Sequence, residues 1–185
     1  MRGGKPYQFA ILVGRFQVFH LGHADMIGKA LELAERVGIL IGSSQEKGTV
    51  KNPLSYERRK AVLQAVLGDK VEIRPLPDIG VGNNSTWGDY VLDRVEAEYG
   101  CLPDLLVSGR EGRRVDWFDN ERGRCIAELY VPKTIEISAT EMRRFLADDQ
   151  REQWQSYTDS RLWDFYPEMR RAVCEAEGHF ETSSL

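Results

Sequence analysis

The sequence predicts an α/β fold, a Rossmann-like doubly wound parallel sheet with helices at its C-terminal end. Three observations predict it. Short apolar runs alternate with segments of helical periodicity, several runs end at a glycine, and 185 residues suffice for one domain with a buried core. This alternation typically produces a mostly parallel sheet. Ligands then bind where loops leave the carboxyl ends of the strands.

Five apolar or alternating runs are predicted as strands. The first, residues 9–13, is continuously apolar, which suits a strand buried on both faces of a sheet. The other predicted strands cover residues 39–41, 71–74, 104–107 and 127–131. We expect the loops after the first four strands to open at one edge of the sheet. These loops contain Gly14, Ser43, Asp78 and Gly109, and the third of them covers residues 75–85.

Periodicity and capping residues predict the helices. Residues 24–37 carry apolar side chains at helical spacing, and Ser55 can cap a helix over residues 56–67 that Gly68 ends. Three more helices are predicted: residues 86–99 ending at Gly100, a helix beginning at the capping box of Ser138, and residues 167–176 between Pro167 and Gly178. We expect residues 1–149 to form the α/β core and residues 150–185 a helical extension packed on it.

Composition narrows the classes of protein and partner. The net charge of -4 disfavours non-specific binding to nucleic acid or acidic membranes. The three cysteines are widely spaced and form no Cys-x-x-Cys motif, which suits a reducing cytoplasm. The apolar run near the N-terminus is too short for a signal sequence or a membrane span. We therefore expect a cytoplasmic protein without nucleic-acid or membrane partners.

The segment after the first strand has the chemistry of a phosphate site. His20 and His23 lie three residues apart at a helix start, where free N–H groups and the helix dipole attract anions. Gly14 admits a ligand to the backbone, Gly22 leaves room for the histidines, and Arg15 can fork onto phosphate oxygens. A lone His-x-x-His pair could equally be a surface or capping feature, and zinc would need further ligands. The whole context favours phosphate.

Residues 14–23, Gly-Arg-Phe-Gln-Val-Phe-His-Leu-Gly-His, resemble the HxGH signature of the nucleotidyltransferase superfamily, which has a Rossmann-like HUP-type fold. The resemblance is closest to the GRFQPFHxGH form of nicotinamide-mononucleotide (NMN) adenylyltransferases, with Val18 at the position of the family's proline. Residues 137–143 resemble the ISxTxxR motif of the same superfamily. They combine a helix start, hydroxyls and an arginine, which suits the phosphates of a nucleoside triphosphate. The resemblance covers roughly residues 8–147.

The resemblance implies transfer of AMP from ATP to NMN, giving NAD and pyrophosphate by in-line attack with the help of Mg²⁺. No protein nucleophile is needed, so catalysis is positioning and charge stabilisation. No protein side chain is assigned to the metal. The implied catalytic residues are His20, His23, Arg15 and Arg143. The implied ATP-binding residues are Gly14, Arg15, Phe16, Gln17, His20, Gly22, His23, Ser108, Gly109, Ser138, Thr140 and Arg143.

The same resemblance implies an acceptor site formed by Asn52, Arg59, Asp78 and Trp87. Arg58 stands where the family usually has a glutamate. A tryptophan face stacks well on a flat heteroaromatic cation, but Trp87 could equally be the first buried residue of its helix. Residues 110–124 hold five arginines among acidic residues. They indicate a salt-bridged surface or, alternatively, an arginine that reaches a substrate phosphate.

Other functions stay open at this stage. Pantetheine-phosphate adenylyltransferases and cytidylyltransferases share the paired histidines, so the acceptor could differ. A nucleotide-binding regulator without catalysis is a further alternative. The chain has no P-loop, and Gly80-Val81-Gly82 lacks the rest of a dinucleotide fingerprint. The segment after Asp148 is expected to pack on the core or at a subunit contact, and we expect a homo-oligomer.

Overall fold

The computed structural model describes residues 4–82, 84–109 and 117–181, with side chains through residue 176. Parallel strands alternate with helices in the first part, and helices dominate the second. The strands are β1 (Tyr7–Gly14), β2 (Ala34–Gly42), β3 (Glu72–Leu76), β4 (Leu105–Ser108) and β5 (Ala127–Tyr130). The helices are α1 (Leu21–Leu33), α2 (Tyr56–Leu67), α3 (Ser85–Tyr99), α4 (Glu121–Arg124), α5 (Ala139–Ala147), α6 (Arg151–Ser156) and α7 (Tyr166–Glu181), with short 3₁₀ helices at Gly68–Lys70 and Ser160–Phe165.

The chain forms two compact units that interleave along the sequence. The first unit comprises the described residues up to Gly14, residues 25–42 and the described part of residues 70–133. The second comprises residues 15–24, 43–69 and the described residues from Thr134 onward. The C-terminal helices fall in the second unit. The predicted boundary between residues 149 and 150 stays a prediction.

The first unit contains the sheet. Its five strands run in the order β3-β2-β1-β4-β5, and every neighbouring pair is parallel. The order begins at β1, grows outward to β3, then returns to β4 on the other side of β1. This reversal places the end of β1 beside the end of β4, with Leu12 opposite Val107. The predicted Rossmann-like parallel sheet is confirmed, and its switch point lies between these two strands.

Helix α3 packs its apolar face on this sheet. Val91, Leu92 and Val95 are fully buried in a cluster with strand residues such as Ile11 and Leu106. The hydroxyl of Tyr99, the last residue of α3, donates to the carbonyl oxygens of Ile39 and Glu72 at 3.2 and 3.1 Å. The helix is thereby fixed on the strands that carry the loops at the carboxyl edge.

The boundary between α1 and β2 differs from the prediction. Residues 24–37 were predicted as helix and only residues 39–41 as strand, but α1 ends at Leu33 and β2 begins at Ala34. Ala34 pairs with Tyr7 of β1, so strand pairing overrides the helical spacing of this segment. Lys5 stabilises the junction, because its Nζ donates to the carbonyl oxygens of Leu31 and Ala34 at 2.6 and 3.1 Å.

Strand β3 also extends beyond its prediction. Pro75 and Leu76 were predicted as the beginning of a loop, yet both belong to β3. Because β3 lies at the edge of the sheet, a proline without an N–H group is tolerated there. Strands β4 and β5 match their predicted positions to within a residue at each end, whereas β1 begins two residues before its predicted start.

The second unit has a core of its own, formed by its helices. Trp154 is fully buried, and its ring meets the ring of Tyr166 edge-on at 5.2 Å between centroids. Met142 and Leu146 of α5 and Met169 of α7 are also fully buried. The predicted helix start at Ser138 is confirmed, but α7 continues through Gly178, the predicted stop. Glycine inside a helix costs only about 1 kcal/mol, so it does not end a helix by itself.

No helix in the described ranges is both long and apolar enough to cross a membrane. Cys101, Cys125 and Cys174 are free thiols.

Candidate active site

The chain that leaves β1 makes a tight turn before α1. Phe16 adopts a left-handed backbone with φ of 52°, and the peptide bond between Gln17 and Val18 is cis. The carbonyl oxygen of His20 accepts from the N–H groups of His23 and Ala24 at 2.9 and 3.1 Å, which closes the first turn of α1. Both predicted histidines therefore lie at the start of this helix.

The two histidine rings stack on each other. Their centroids are 3.8 Å apart with 22° between the planes, and Phe16 and Phe19 flank His23 at 5.0 and 5.8 Å. Burial, and secondarily the neighbouring His20, holds the pKa of His23 well below its ordinary value of 6.5. Without a ligand, His23 is therefore neutral at pH 7. A bound phosphate would shift the pKa upward.

Gly22 leaves room for the His20 ring of this stacked pair. A Cβ at Gly22 would lie 3.1 Å from Nδ1 and 3.2 Å from Cε1 of His20, closer than side chains normally approach. The same Cβ would lie 3.7 Å from Cγ2 of Ile137, the residue that precedes the second motif. Gly22, a residue of the first predicted phosphate motif, thus lies beside the second motif.

The start of α5 meets the turn before α1. Arg143 donates from Nη1 to the carbonyl oxygen of Gln17 and from Nη2 to Oγ1 of Thr140, the latter at 3.1 Å. Ser138 caps the helix, accepting from the N–H of Glu141 at 3.2 Å and donating its hydroxyl to the Glu141 carboxylate at 2.6 Å. The two predicted phosphate motifs therefore form one site in the second unit.

Three arginines give this site a positive charge. Arg15 is exposed, and its charge contributes to lowering the pKa values of both Arg59 and Arg143. Burial is the larger cause in both, and it brings the pKa of Arg59 to about 10. With a pKa of about 10, the Arg59 guanidinium stays protonated at neutral pH. A polyanion bound here would relieve the mutual repulsion of the three arginines.

Gln17 was predicted as an ATP ligand, but its amide is used within the protein. The side chain is 2% exposed. Its Nε2 donates to the carbonyl oxygen of Leu54 at 2.8 Å, and its Oε1 accepts from the N–H of Leu54 at 3.0 Å. This paired contact fixes the polar loop before α2 to the turn before α1. Its backbone carbonyl serves the site through Arg143.

Two predicted acceptor residues are buried. Asn52 is 2% exposed, and its Nδ2 donates to the Glu46 carboxylate. Arg59 is 1% exposed, and its guanidinium donates to backbone carbonyl oxygens rather than to open space. The expectation that these side chains contact an acceptor directly is therefore not supported by their positions. These side chains are buried by the packing of the fold around them, which the local sequence motif does not indicate.

Arg58, the departure from the family pattern, turns toward the C-terminal helix. It forms an ion pair with Glu168 of α7 within the second unit. Because about a third of each side chain is exposed, this pair contributes little to stability. Arg58, which stands in place of the family's glutamate, thus has an acidic partner within the second unit.

The other predicted site residues lie in the first unit. Gly14 and Ser108 end the neighbouring strands β1 and β4, and the Ser108 carbonyl accepts from Val131 N–H at 2.8 Å. Gly109 follows at an exposed position, where an added Cβ would lie 3.5 Å from Met26 Sδ. Gly14 and Ser108 thus end the two strands that border the switch point, and their role in ATP binding stays a prediction.

Asp78 and Trp87, both predicted to contact the acceptor, differ in exposure. Asp78 is exposed and accepts from the N–H of Gly80 at 2.9 Å. Trp87 is 9% exposed and packs in the core of the first unit, with Tyr90 and Trp117 at 5.5 and 6.2 Å between centroids. The alternative interpretation of Trp87, the first buried residue of its helix, is the one that the structure favours.

Of the arginine-rich stretch, residues 110–116 lie outside the described residues. Arg122 forms ion pairs with Asp93 and Glu96 at 2.7 and 3.6 Å. This part of the stretch agrees with a salt-bridged surface.

The donor set of the site does not suit a metal held by the protein. In the described ranges no three His, Cys, Asp or Glu side chains are grouped so that they could hold a metal ion. Around the histidines the structure instead presents guanidinium and hydroxyl groups. A divalent cation would have to be held by the oxygens of a bound phosphate chain.

Known proteins resemble this chain in sequence. Residues 11–145 match the profile of the cytidylyltransferase-like family. The nicotinamide-nucleotide adenylyltransferase of Saccharolobus solfataricus is 42% identical over 84 residues, which cover 42% of this chain and 48% of that relative. The protein of the same name from Aeropyrum pernix is 31% identical over 173 residues, which cover 89% of this chain and 90% of that relative.

A solved structure from Francisella tularensis, a bifunctional NMN adenylyltransferase/ADP ribose pyrophosphatase, superimposes with a TM-score of 0.77. It is 24% identical, and the match covers 94% of this chain and 54% of that chain. This likeness shows the shared fold.

The fold and the joined motifs define a nucleotidyltransferase. The chain belongs to the cytidylyltransferase-like family, in which it is similar to proteins named nicotinamide-nucleotide adenylyltransferases.

Proposed function

We propose that this protein transfers AMP from ATP to NMN and releases NAD and pyrophosphate. One observation carries the proposal: the paired histidines and the start of α5 form a single positively charged site, joined through Arg143 and Gln17. Two helix starts and the guanidinium groups of Arg15 and Arg143 suit a chain of phosphates. The similarity to nicotinamide-nucleotide adenylyltransferases over nearly the whole chain supports the choice of substrates.

In the proposed reaction an oxygen of the NMN phosphate attacks the α-phosphorus of ATP. The bond between the α-phosphorus and its bridging oxygen to the β-phosphorus breaks, and pyrophosphate leaves. His20 and His23 contact the triphosphate and stabilise the charge that develops during transfer. Ser138, Thr140 and Arg143 hold the departing pyrophosphate, while Arg15 assists them. These groups act by position and charge alone.

Divalent metal enters this proposal with the nucleotide. Mg²⁺ bound to the ATP phosphates would neutralise part of their charge. The residues of the site would bind phosphate oxygens directly. Arg15 and Arg143 are suited to this, since guanidinium groups pair bidentately with phosphate.

The choice of NMN as acceptor is supported by the relatives and by the exposed loop around Asp78, since Asn52, Arg59 and Trp87 are buried. A panel of phosphorylated acceptors, including NMN and pantetheine phosphate, is incubated with ATP and Mg²⁺ while pyrophosphate release is measured. We expect release with NMN. Release with pantetheine phosphate alone would overturn the acceptor, and ATP binding without any release would favour a regulator.

The His23→Ala variant tests the site itself. We expect its turnover to fall by about 10²-fold or more, because charge stabilisation at the transferring phosphate is lost. Circular dichroism should show an intact fold. A fully active variant would contradict the proposed mechanism.

A homo-oligomer in the cytoplasm remains our prediction for the assembly and its location. Sedimentation velocity at two protein concentrations measures the oligomeric state. A species of 21.1 kDa at both would contradict it.

A further inference from the structure

We propose that Arg59 is a positioning residue, which sets the geometry of the phosphate-binding turn and does not bind the acceptor. The kinetic part of this proposal rests on the proposed function. Its structural part needs no substrate.

Arg59 connects three separate segments of the second unit. Its Nη1 donates to the carbonyl oxygen of Arg15, the first residue after β1, at 3.0 Å. Its Nη2 donates to the carbonyl oxygen of Ser43, the first residue after β2, at 3.0 Å. Its Nε donates to the carbonyl oxygen of Ser55, the N-cap of α2, at 3.3 Å. One side chain thus joins the turn before α1, the loop after β2 and the start of α2.

The guanidinium group is suited to this role. It is planar and carries five N–H donors that point outward in fixed directions, so it can reach three carbonyl oxygens at once. A lysine ammonium group donates from a single atom and cannot span them. The side chain is 1% exposed, and burial lowers its pKa to about 10, which leaves it protonated at neutral pH.

The backbone beside two of these contacts is strained. Phe16, which follows Arg15, has φ of 52°, and Ser43 has φ of 46°. Residues with a Cβ rarely adopt this left-handed conformation, and they keep it only where the surrounding structure holds them. Hydrogen bonds from Arg59 to the carbonyl oxygens of Arg15 and Ser43 supply such a constraint. Without them we expect both segments to relax.

Relaxation of the first segment would move the groups that contact ATP. The turn held at Arg15 leads directly into His20 and His23, whose rings depend on the same short stretch of backbone. A displacement of about 1 Å in a site that works by position costs on the order of 10²-fold in rate. Arg59 would therefore influence turnover although it contacts no substrate.

The test compares Arg59→Lys with Arg58→Lys. The control changes the neighbouring arginine in the same way, but Arg58 pairs with Glu168 and not with the backbone carbonyls. For Arg59→Lys we expect kcat to fall by about 10²-fold, with KM for NMN nearly unchanged, and the control should match the parent. Amide hydrogen exchange without substrate should be faster in residues 15–20 and 43–47 of Arg59→Lys only.

An acceptor ligand would behave differently. If Arg59 binds the NMN phosphate through its two-pronged guanidinium, Arg59→Lys should keep kcat and raise KM for NMN, and this result would overturn the proposal. Unchanged exchange in both segments would also overturn it. Arg59→Gln, which keeps a planar donor without the buried charge, is measured in parallel. Global unfolding of both variants counts against the proposal, since a positioning residue leaves the remaining fold intact.

The two proposals fail in different ways. If the parent protein transfers no AMP to NMN, the proposed function fails, while the exchange measurement still decides the role of Arg59.

Discussion

At the scale of single residues, the site depends on a glycine as much as on its histidines. Gly22 lies beside the His20 ring, and the absence of a side chain lets this ring lie closer to the helix than a Cβ would normally allow. The His-x-Gly-His spacing therefore has a packing reason as well as a chemical one.

A Gly22→Ala substitution should reduce activity without unfolding the protein. The new Cβ would displace the His20 ring, and we expect kcat to fall about tenfold or more because the reacting groups lose their alignment. Gly28→Ala is the matched control on the same helix, since a Cβ there meets nothing within 4 Å. The control should raise the free energy of unfolding by about 0.5–1 kcal/mol and leave kcat unchanged. Equal activity of the two variants would contradict this account of Gly22.

His23 should also make stability depend on pH. Its pKa is lowered in the folded protein, so below about pH 6.5 the unfolded chain binds a proton that the folded protein does not. Its contribution to stability is complete above pH 6.5 and is lost as the pH falls toward the folded pKa. The slope is at most about 1.4 kcal/mol per pH unit. Urea unfolding of the parent and of His23→Gln between pH 8 and 5.5 measures it. Parallel curves would show that His23 is not responsible.

At the scale of elements, periodicity predicted most helices and strands because their local pattern and their packing agree. The exceptions arise where pairing over a long distance decides. Ala34 to Gly42 reads partly as helix because Glu35 and Arg36 interrupt the apolar residues, yet the partner strand β1 determines its conformation. The short helices α4 and α6 carry too few residues for a recognisable period.

The candidate site also has parts that the local sequence predicts and parts that depend on distant residues. Its phosphate motifs were predictable, since the chemistry lies in contiguous residues at helix starts. The positions of Arg59 and Trp87 were not, because burial depends on residues far away in sequence. One local signal did exist for Arg59: it follows the N-cap Ser55 by four residues, so its side chain starts beside the turn that precedes α2.

The contact between Gln17 and Leu54 should hold the loop before α2 in its position. Gln17→Leu leaves the N–H and carbonyl groups of Leu54 without partners, and we expect unfolding to become easier by about 1–3 kcal/mol. Thr158→Val is the matched control, because it removes another buried hydrogen bond of the second unit, to the Trp154 carbonyl. Only Gln17→Leu should also raise KM for ATP or lower kcat. If both variants lose stability but keep full activity, the loop does not depend on this contact.

At the scale of the whole molecule, the C-terminal helices are part of the unit that carries the site. Trp154, Met169 and Val173 belong to its core, and the N–H of Leu21, at the start of α1, donates to the Tyr157 carbonyl at 2.9 Å. Residues after 149 therefore form part of the core of the second unit and are not merely an extension packed on it.

A chain that ends at residue 149 should consequently lose the site. Without Trp154 and α7, the apolar side chains of Met142 and Leu146 would be exposed, which removes most of the hydrophobic stabilisation of α5. We expect no ATP binding by calorimetry and a loss of helical signal beyond that of the deleted residues. Trp163→Ala is the control, since this side chain is 41% exposed in the same segment. A shortened chain that still binds ATP would show that the predicted boundary is real.

The interleaving of the two units has a consequence for biosynthesis. Each unit draws on stretches that are far apart in the chain, so neither can form from the first residues that leave the ribosome. Strand β1 must wait for β4, and the paired histidines near residue 20 must wait for a helix whose core residues reach Val173. A nascent chain would therefore carry its nucleotide motif through the ribosomal tunnel long before that motif could hold a nucleotide.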